Sequence, residues 1–276
     1  MQTEIGALRK MTAQLDTQGK VNYQLPIGEQ LLPLNELIGK TLNLSYHQHI
    51  SCSHCGKKTN KSFSQGYCFP CMRKLAQCDM CIMKPETCHF EQGTCREPEW
   101  GKTNCFIPHY VYLANTSGLK VGITRHTQIP TRWIDQGATQ ALPIFRVSTR
   151  LQSGLVEIAL AEFIADKTNW RTMLKGNAEP IDLINKAKSL VPMINEKLDD
   201  IRLKFGEGAV ELLAEEVIDL SFPVEEFPTK ITSFNFDKNP EVSGTLMGIK
   251  GQYLLFDNGV INIRKFSSYH VSASVA

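Results

Sequence analysis

Tyr110-Val-Tyr-Leu-Ala-Asn-Thr-Ser-Gly118-Leu-Lys-Val-Gly-Ile-Thr124 reads as a hairpin. Tyr110 to Asn115 and Leu119 to Thr124 are short runs of strand-forming residues, and Asn115-Thr-Ser-Gly118 between them has the composition of a turn. Downstream, Pro130-Thr-Arg-Trp-Ile-Asp-Gln-Gly137 predicts a short helix with proline at its start and glycine at its end. Leu142 to Thr149 predicts a third strand. Ser153 can then cap a helix in which Val156, Ala159, Leu160, Phe163 and Ile164 recur at i, i+3, i+4, i+7 and i+8. The order strand, strand, helix, strand, helix predicts a small antiparallel sheet with helices, an α+β module over residues 110–175.

All nine cysteines precede this hairpin, between Cys52 and Cys105. Cys52-Ser-His-Cys55-Gly56 is followed, with twelve residues between Cys55 and Cys68, by Cys68-Phe-Pro-Cys71. Two Cys-x-x-Cys knuckles at this distance predict a four-thiolate Zn2+ site on Cys52, Cys55, Cys68 and Cys71, because each tight knuckle presents two sulfurs to one ion. A closed site of this kind has no open position for substrate and serves folding. Cys78-Asp-Met-Cys81, Cys88-His89, Cys95, Cys105 and His109 form a second cluster. A second Zn2+ on Cys78, Cys81, Cys88 and Cys95 is the simplest reading, with Cys105, His89 or His109 as substitutes. An iron–sulfur cluster suits four thiolates as well, and free buried thiols are the third alternative. Residues 52–109 are therefore a cysteine-rich zinc-binding region.

Both flanks read as β-structure. Val21 to Leu25 is a strand candidate closed by Pro26, and Thr41 to Ser51 carries Leu42, Leu44 and Tyr46 on one face before running into Cys52. Residues 229–276 hold three more candidates, Ser243 to Ile249, Gln252 to Phe256 and Val260 to Phe266, with Asp257-Asn-Gly259 as a hairpin signal. Residues 1–51 and 229–276 are expected to pair into one barrel-like unit. Between module and C-terminal strands, residues 176–228 are helical: Ile184, Ala187, Val191, Ile194, Leu198, Ile201 and Phe205 alternate steps of three and four, interrupted by Pro192.

The net charge is only +2, yet residues 52–150 carry thirteen Lys/Arg against six Asp/Glu, and residues 151–228 carry eight against fifteen. A basic half that coincides with the cysteines predicts a polyanion surface. Arg125 and Arg132 are its candidate nucleic-acid contacts, joined by Lys250 and Arg264 from Lys250-Gly-Gln-Tyr-Leu and Asn262-Ile-Arg-Lys, which are read as exposed basic and aromatic groups. No run reaches the roughly 18 apolar residues of a bilayer span, and Met1 to Gly6 lack the pattern of a secretory signal. The expected location is cytoplasmic, without a membrane partner; the oligomeric state is open.

Tyr110-Val-Tyr-Leu followed by Lys120-Val-Gly-Ile resembles a variant of the two motifs that name the GIY-YIG nuclease family, and the element order is similar to that family's module. The helix Glu157-Ile-Ala-Leu-Ala-Glu162 is similar to the one that presents the family's metal-binding glutamate. The resemblance implies that Tyr112 orients or activates a water against a phosphodiester, Arg132 neutralises the phosphate, and Glu162 holds Mg2+ or Mn2+. Lys120 stands where the second motif has tyrosine, Tyr110 where the first has glycine, and Asn169 matches a later asparagine. More broadly, Lys120-Val-Gly-Ile-Thr-Arg, Arg132-Trp-Ile-Asp-Gln-Gly-Ala, Asp166-Lys-Thr-Asn-Trp and Gly248-Ile-Lys-Gly-Gln-Tyr-Leu resemble an uncharacterised bacterial family known only as a domain of unknown function. The expected function is a zinc-containing nucleic-acid-binding protein with divalent-metal-dependent endonuclease activity. The alternative is a non-catalytic zinc-stabilised adaptor for RNA or a ribonucleoprotein, and a redox or metal-sensing role of the second cysteine cluster stands third.

Overall fold

In the computed structural model, which describes residues 2–276, strand His109–Asn115 lies between Leu119–Arg125 and Gln140–Val147 in an antiparallel sheet. Short strands Val210–Leu212 and Ile218–Asp219 extend it beyond Gln140–Val147. Side chains alternate across a strand, so one strand can feed two cores. Val111 and Leu113 face helix Arg150–Ala161 and pack with Val156, Leu160 and Leu198. Tyr112 and Ala114 face the opposite way, onto Trp133, Ile134 and the large core of the flanking sheet. This double burial explains why the strand reads as a nearly continuous apolar run.

The helix after the third strand starts earlier than Ser153 suggests. Thr149 is its cap: its side chain accepts from Gln152 N, and Gln152 returns the bond to the Thr149 backbone, a reciprocal capping box that satisfies two otherwise open donors. Ser153 is buried inside the helix and donates to Arg150 O at 2.7 Å. Farther on, Leu183–Leu190 and Asn195–Phe205 are two helices separated by a 3₁₀ turn at Val191–Ile194 that contains Pro192.

The flanking sheet draws on both ends of the chain. Thr41–Ile50 pairs on one side with Tyr269–Val275 and on the other with Glu241–Lys250, which continues through Tyr253–Phe256 to Gly259–Asn262. Leu42 and Leu44 are buried as their alternation predicts. The sheets differ from the sequence reading at three places. Strand Val21–Ile27 runs through Pro26. The strand beginning at Gly259 stops at Asn262, whose side chain accepts from Lys265 N and turns Ile263–Phe266 into a 3₁₀ helix. Tyr269–Val275, with His270, Ser272 and Ser274 among its seven residues, is nevertheless a strand beside Thr41–Ile50, with Val271 and Ala273 inward. Among the described residues no helix is long and apolar enough to cross a membrane.

Candidate metal centre and adjoining basic cleft

Strand Thr41–Ile50 delivers Cys52 to the first knuckle, and Cys68 is the N-cap residue of helix Phe69–Lys74. The ligand sulfurs of Cys52, Cys55, Cys68 and Cys71 all lie within 4.8 Å of one another, with Cys55 Sγ and Cys68 Sγ 3.8 Å apart. Tetrahedral zinc with sulfurs at ~2.3 Å demands an S–S edge of ~3.8 Å, so the donor set fits the ion. Gly56 has φ +69 and closes the turn, its N–H donating to Cys52 O at 2.9 Å. Burial pushes the Cys52 thiol up, but N–H groups of Cys55, Cys68 and His54 aimed at it outweigh this and bring it down to about 6. Cys71 is pushed up to about 12 by desolvation and by the neighbouring thiols. Four sulfurs crowded at this spacing could hold a metal ion, and the donor set fits a structural zinc site.

The second cluster divides. Cys81, Cys88, Cys95 and Cys105 line one small cavity, whereas Cys78 lines a different one. Asp79, Cys81 and His89 also approach one another within 4.8 Å. His109 is not part of the group: it is buried in the strand, its Nδ1–H donates to Ile107 O at 2.7 Å, and burial lowers it to about 4.

The cavity that Cys78 enters is a cleft of about 500 Å³. Lys10, Arg132 and Arg264 line it together with Gln65, Tyr67 and Asp79. Lys10 is paired with Asp135 at 2.8 Å, and Arg264 Nε donates to Gln65 Oε1 at 2.5 Å. Arg132 and Arg264, far apart in the chain, thus share one concavity. The other two expected contacts do not. Arg125 is half-buried, its Nη1 donating to Asn104 Oδ1 at 2.5 Å. Lys250 is no surface group: it is fully buried, donates to Gly176 O at 2.8 Å and Asn177 Oδ1 at 3.1 Å, and lies over Phe222 and Phe227. Its strand ends inside the protein, where desolvation lowers its pKa to about 8.

Behind Arg132 lies a buried polar cluster. Tyr112 and Gly122 are cross-strand partners, and a Cβ on Gly122 would sit 2.6 Å from the Tyr112 hydroxyl. The glycine leaves room for the ring to lie across the neighbouring strand. Gln136 Nε2 donates to Tyr112 Oη at 2.9 Å when its amide oxygen accepts from Arg132 Nη2 at 3.1 Å, which links the tyrosine to the arginine. Lys120 is only 4 % exposed, and burial followed by repulsion from Arg132 lowers it to about 8. Glu157 is raised to about 7 by burial, against the opposing pull of Lys120 and Arg132, and Asp166 acts on both Lys120 and Glu157. Burial likewise raises Tyr112, which is a neutral phenol at ordinary pH.

Glu157, not Glu162, is the carboxylate that joins Tyr112, Lys120 and Arg132. Glu162 is the exposed C-cap of the helix, and five residues of α-helix rotate it by ~140° from Glu157. Asn169, the other residue implied by the resemblance, caps helix Trp170–Met173 through a bond from Thr172 N. Nothing in the local sequence marks Lys10, Gln136, Glu157 or Asp166 as a site residue. Gly122→Ala is expected to displace the Tyr112 ring and to destabilise the protein by about 1–3 kcal/mol. Denaturant unfolding checks this, and the same stability as wild type would remove the close approach from the account.

No curated protein and no solved structure matches this chain. A family model does match, over residues 39–271, and its span takes in both cysteine clusters, the antiparallel sheet, helix Arg150–Ala161 and most of the flanking sheet. The chain belongs to that family, described as a protein of unknown function (DUF2797).

Proposed function

We propose that this protein binds nucleic acid in the cleft lined by Lys10, Arg132 and Arg264, and cleaves a phosphodiester next to Tyr112 and Glu157. The observation that carries this reading is the meeting of Arg132 with both the open cleft and the cluster of buried Tyr112, buried Lys120 and half-buried Glu157. Arg132 would pair with a phosphate, and its bond to Gln136 holds the Tyr112 hydroxyl in place. Glu157, titrating near neutrality, is suited to accept or return a proton at working pH. Where Mg2+ or Mn2+ binds, Glu157 would hold it in place of that proton, with Asp166 as a second oxygen donor, and the ion would offset charge developing on the phosphate oxygens. The neighbouring zinc centre is a scaffold in this reading.

One observation favours the non-catalytic alternative. Tyr112 is wholly buried, which suits a recognition module that has lost cleavage better than it suits a group that meets substrate. Incubation with labelled DNA and RNA plus Mg2+ or Mn2+ separates the two. The catalytic reading expects cleavage that Glu157→Ala lowers by about 100-fold or more and Glu162→Ala leaves nearly unchanged. Binding without cleavage would select the adaptor. Both readings expect binding to weaken steeply with salt, and Arg264→Ala to reduce the log–log salt slope by about 1. Salt-independent binding, or none, would remove the nucleic-acid reading.

A further inference from the structure

The segment around the first four cysteines carries charge of one sign. Residues 52–74 hold Lys57, Lys58, Lys61, Arg73 and Lys74 and no Asp or Glu. All five cations are exposed, and among the described residues none pairs with a carboxylate. Zinc on four thiolates would contribute −2 and still leave the segment at +3. Two aromatic rings are set among these cations. Phe63 and Phe69 have centroids 5.5 Å apart. Lys61 Nζ lies 5.5 Å from the Phe63 centroid, and the Arg73 guanidinium lies 5.8 Å from that of Phe69. The order along the surface is therefore cation, ring, ring, cation.

Phe69 is 48 % exposed and opens a helix, Phe69–Lys74, that buries no side chain. One exposed ring alone is ordinary on a protein surface. Two rings in contact, each with a cation beside it, are a platform of the kind on which unpaired bases stack. The chain leads this platform into the cleft. Phe63 and Tyr67 exchange two backbone bonds of 2.8 Å and close a turn in which Ser64 and Gln65 have φ +43 and +64. Ser64 and Gln65, at the tip of that turn, line the cleft that holds Arg132 and Arg264, and Gln65 accepts from Arg264. Its base is held down, with Gly66 O accepting from Ser268 Oγ at 3.0 Å and Ser62 Oγ donating to Ser267 O at 3.1 Å. Platform and cleft are the two sides of one anchored turn.

We infer that the nucleic acid taken by the cleft is single-stranded, with bases stacked on Phe63 and Phe69 and phosphates on Lys61 and Arg73. From there its backbone passes over Ser64 and Gln65 to Arg264 and Arg132. In a duplex each base is paired and stacked on its neighbours, so side-chain rings reach only bases that are unpaired. Lys61 and Arg73 are long, exposed side chains in weak contact with the rings, free to move to a phosphate when a base takes their place. This inference rests on the nucleic-acid reading of the cleft and adds to it the strand form and the surface of the zinc knuckle.

Binding of the full-length, zinc-loaded protein to mixed-sequence single-stranded DNA and RNA, each beside its own duplex, tests it. At least one single strand is expected to bind on the order of 10-fold more tightly than its duplex. Phe69→Leu keeps an apolar side chain without a ring; at unchanged zinc content it should weaken single-strand binding on the order of 10-fold and leave duplex binding nearly as it was. Lys61→Ala should lower the log–log salt slope for the single strand by about 0.7. Ultraviolet cross-linking of wild-type protein to an oligonucleotide carrying 5-iodouracil, followed by peptide mapping, gives an answer even where a variant loses zinc: Phe63 or Phe69 is expected to carry the adduct. Duplex bound as tightly as single strand, adducts confined to other segments, or single-strand binding that Arg264→Ala weakens and Phe69→Leu does not would overturn the inference and leave the nucleic-acid reading of the cleft standing. Binding of neither form would remove both.

Discussion

Cys52→Ala, or a strong zinc chelator, is expected to unfold residues 51–71 and to lower the melting temperature by the largest margin of any change considered for this chain. Structural zinc contributes about 10–16 kcal/mol of apparent binding free energy at neutral pH, comparable with the ~5–15 kcal/mol by which whole domains are stable. This segment has little else to fold it: Phe69–Lys74 is one short helix with no buried residue, and most of residues 53–67 are exposed or half-buried loop. The damage should travel. Ser51 N donates to Ser268 O at 3.1 Å, Ser53 Oγ meets Ser268 Oγ at 2.6 Å, and Gly66 O accepts from Ser53 N at 2.7 Å. Losing the knuckle thus loosens the chain that leads into Tyr269–Val275, beside Thr41–Ile50 in the flanking sheet. Thermal unfolding and hydrogen exchange, with and without chelator, check this. Protection should vanish first at 51–71 while His109–Asn115 keeps its own; an unchanged melting temperature would exclude a folding role for the ion.

The second large effect is expected from half-buried Glu157 and buried Lys120, which act on each other electrostatically. Glu157 is raised from an ordinary 4.5 to about 7, so between those values the folded protein holds a proton that the unfolded chain has released. Stability then falls as pH rises through that window, by on the order of 2 kcal/mol for this group. Glu157→Gln, which cannot ionise, should flatten that part of the profile. Lys120 is lowered from 10.5 to about 8, so its contribution has the opposite slope, with stability rising between those values. Coupling gives a sharper check. Lys120→Met removes the cation that favours the carboxylate, so the Glu157 pKa should climb further above 7. Urea titrations across the pH range and a carboxyl-carbon NMR titration of Glu157 read both effects. A Glu157 that titrates at its ordinary value in the folded protein would contradict the burial on which the cluster rests.

The sequence by itself determined those features whose causes are local. Two Cys-x-x-Cys knuckles separated by twelve residues name their own ligands, because each knuckle is a tight turn that brings its sulfurs together wherever it is placed. The hairpin from Tyr110, the short helix at Trp133 and the Pro192 interruption follow from side-chain period and backbone restriction in the same way. Tertiary structure decided everything that depends on which face meets which. Glu157 and Glu162 lie in one run of helix-like sequence, and only the docking of Arg150–Ala161 against the sheet turns the first toward Lys120 and leaves the second in solvent. Spacing favours Cys78 over Cys105 as the partner of Cys81, but the fold of the loops between them sends Cys78 into the cleft and brings Cys105 to the small cavity that Cys81 lines. Lys250 reads as a surface cation because lysine is seldom buried, and its interior place exists only because Gly176, Asn177 and two phenylalanines from distant segments surround it. Tyr269–Val275 is a strand because Thr41–Ile50 offers it a hydrogen-bonding edge more than 200 residues away in the chain, and such an edge leaves no mark on the local sequence.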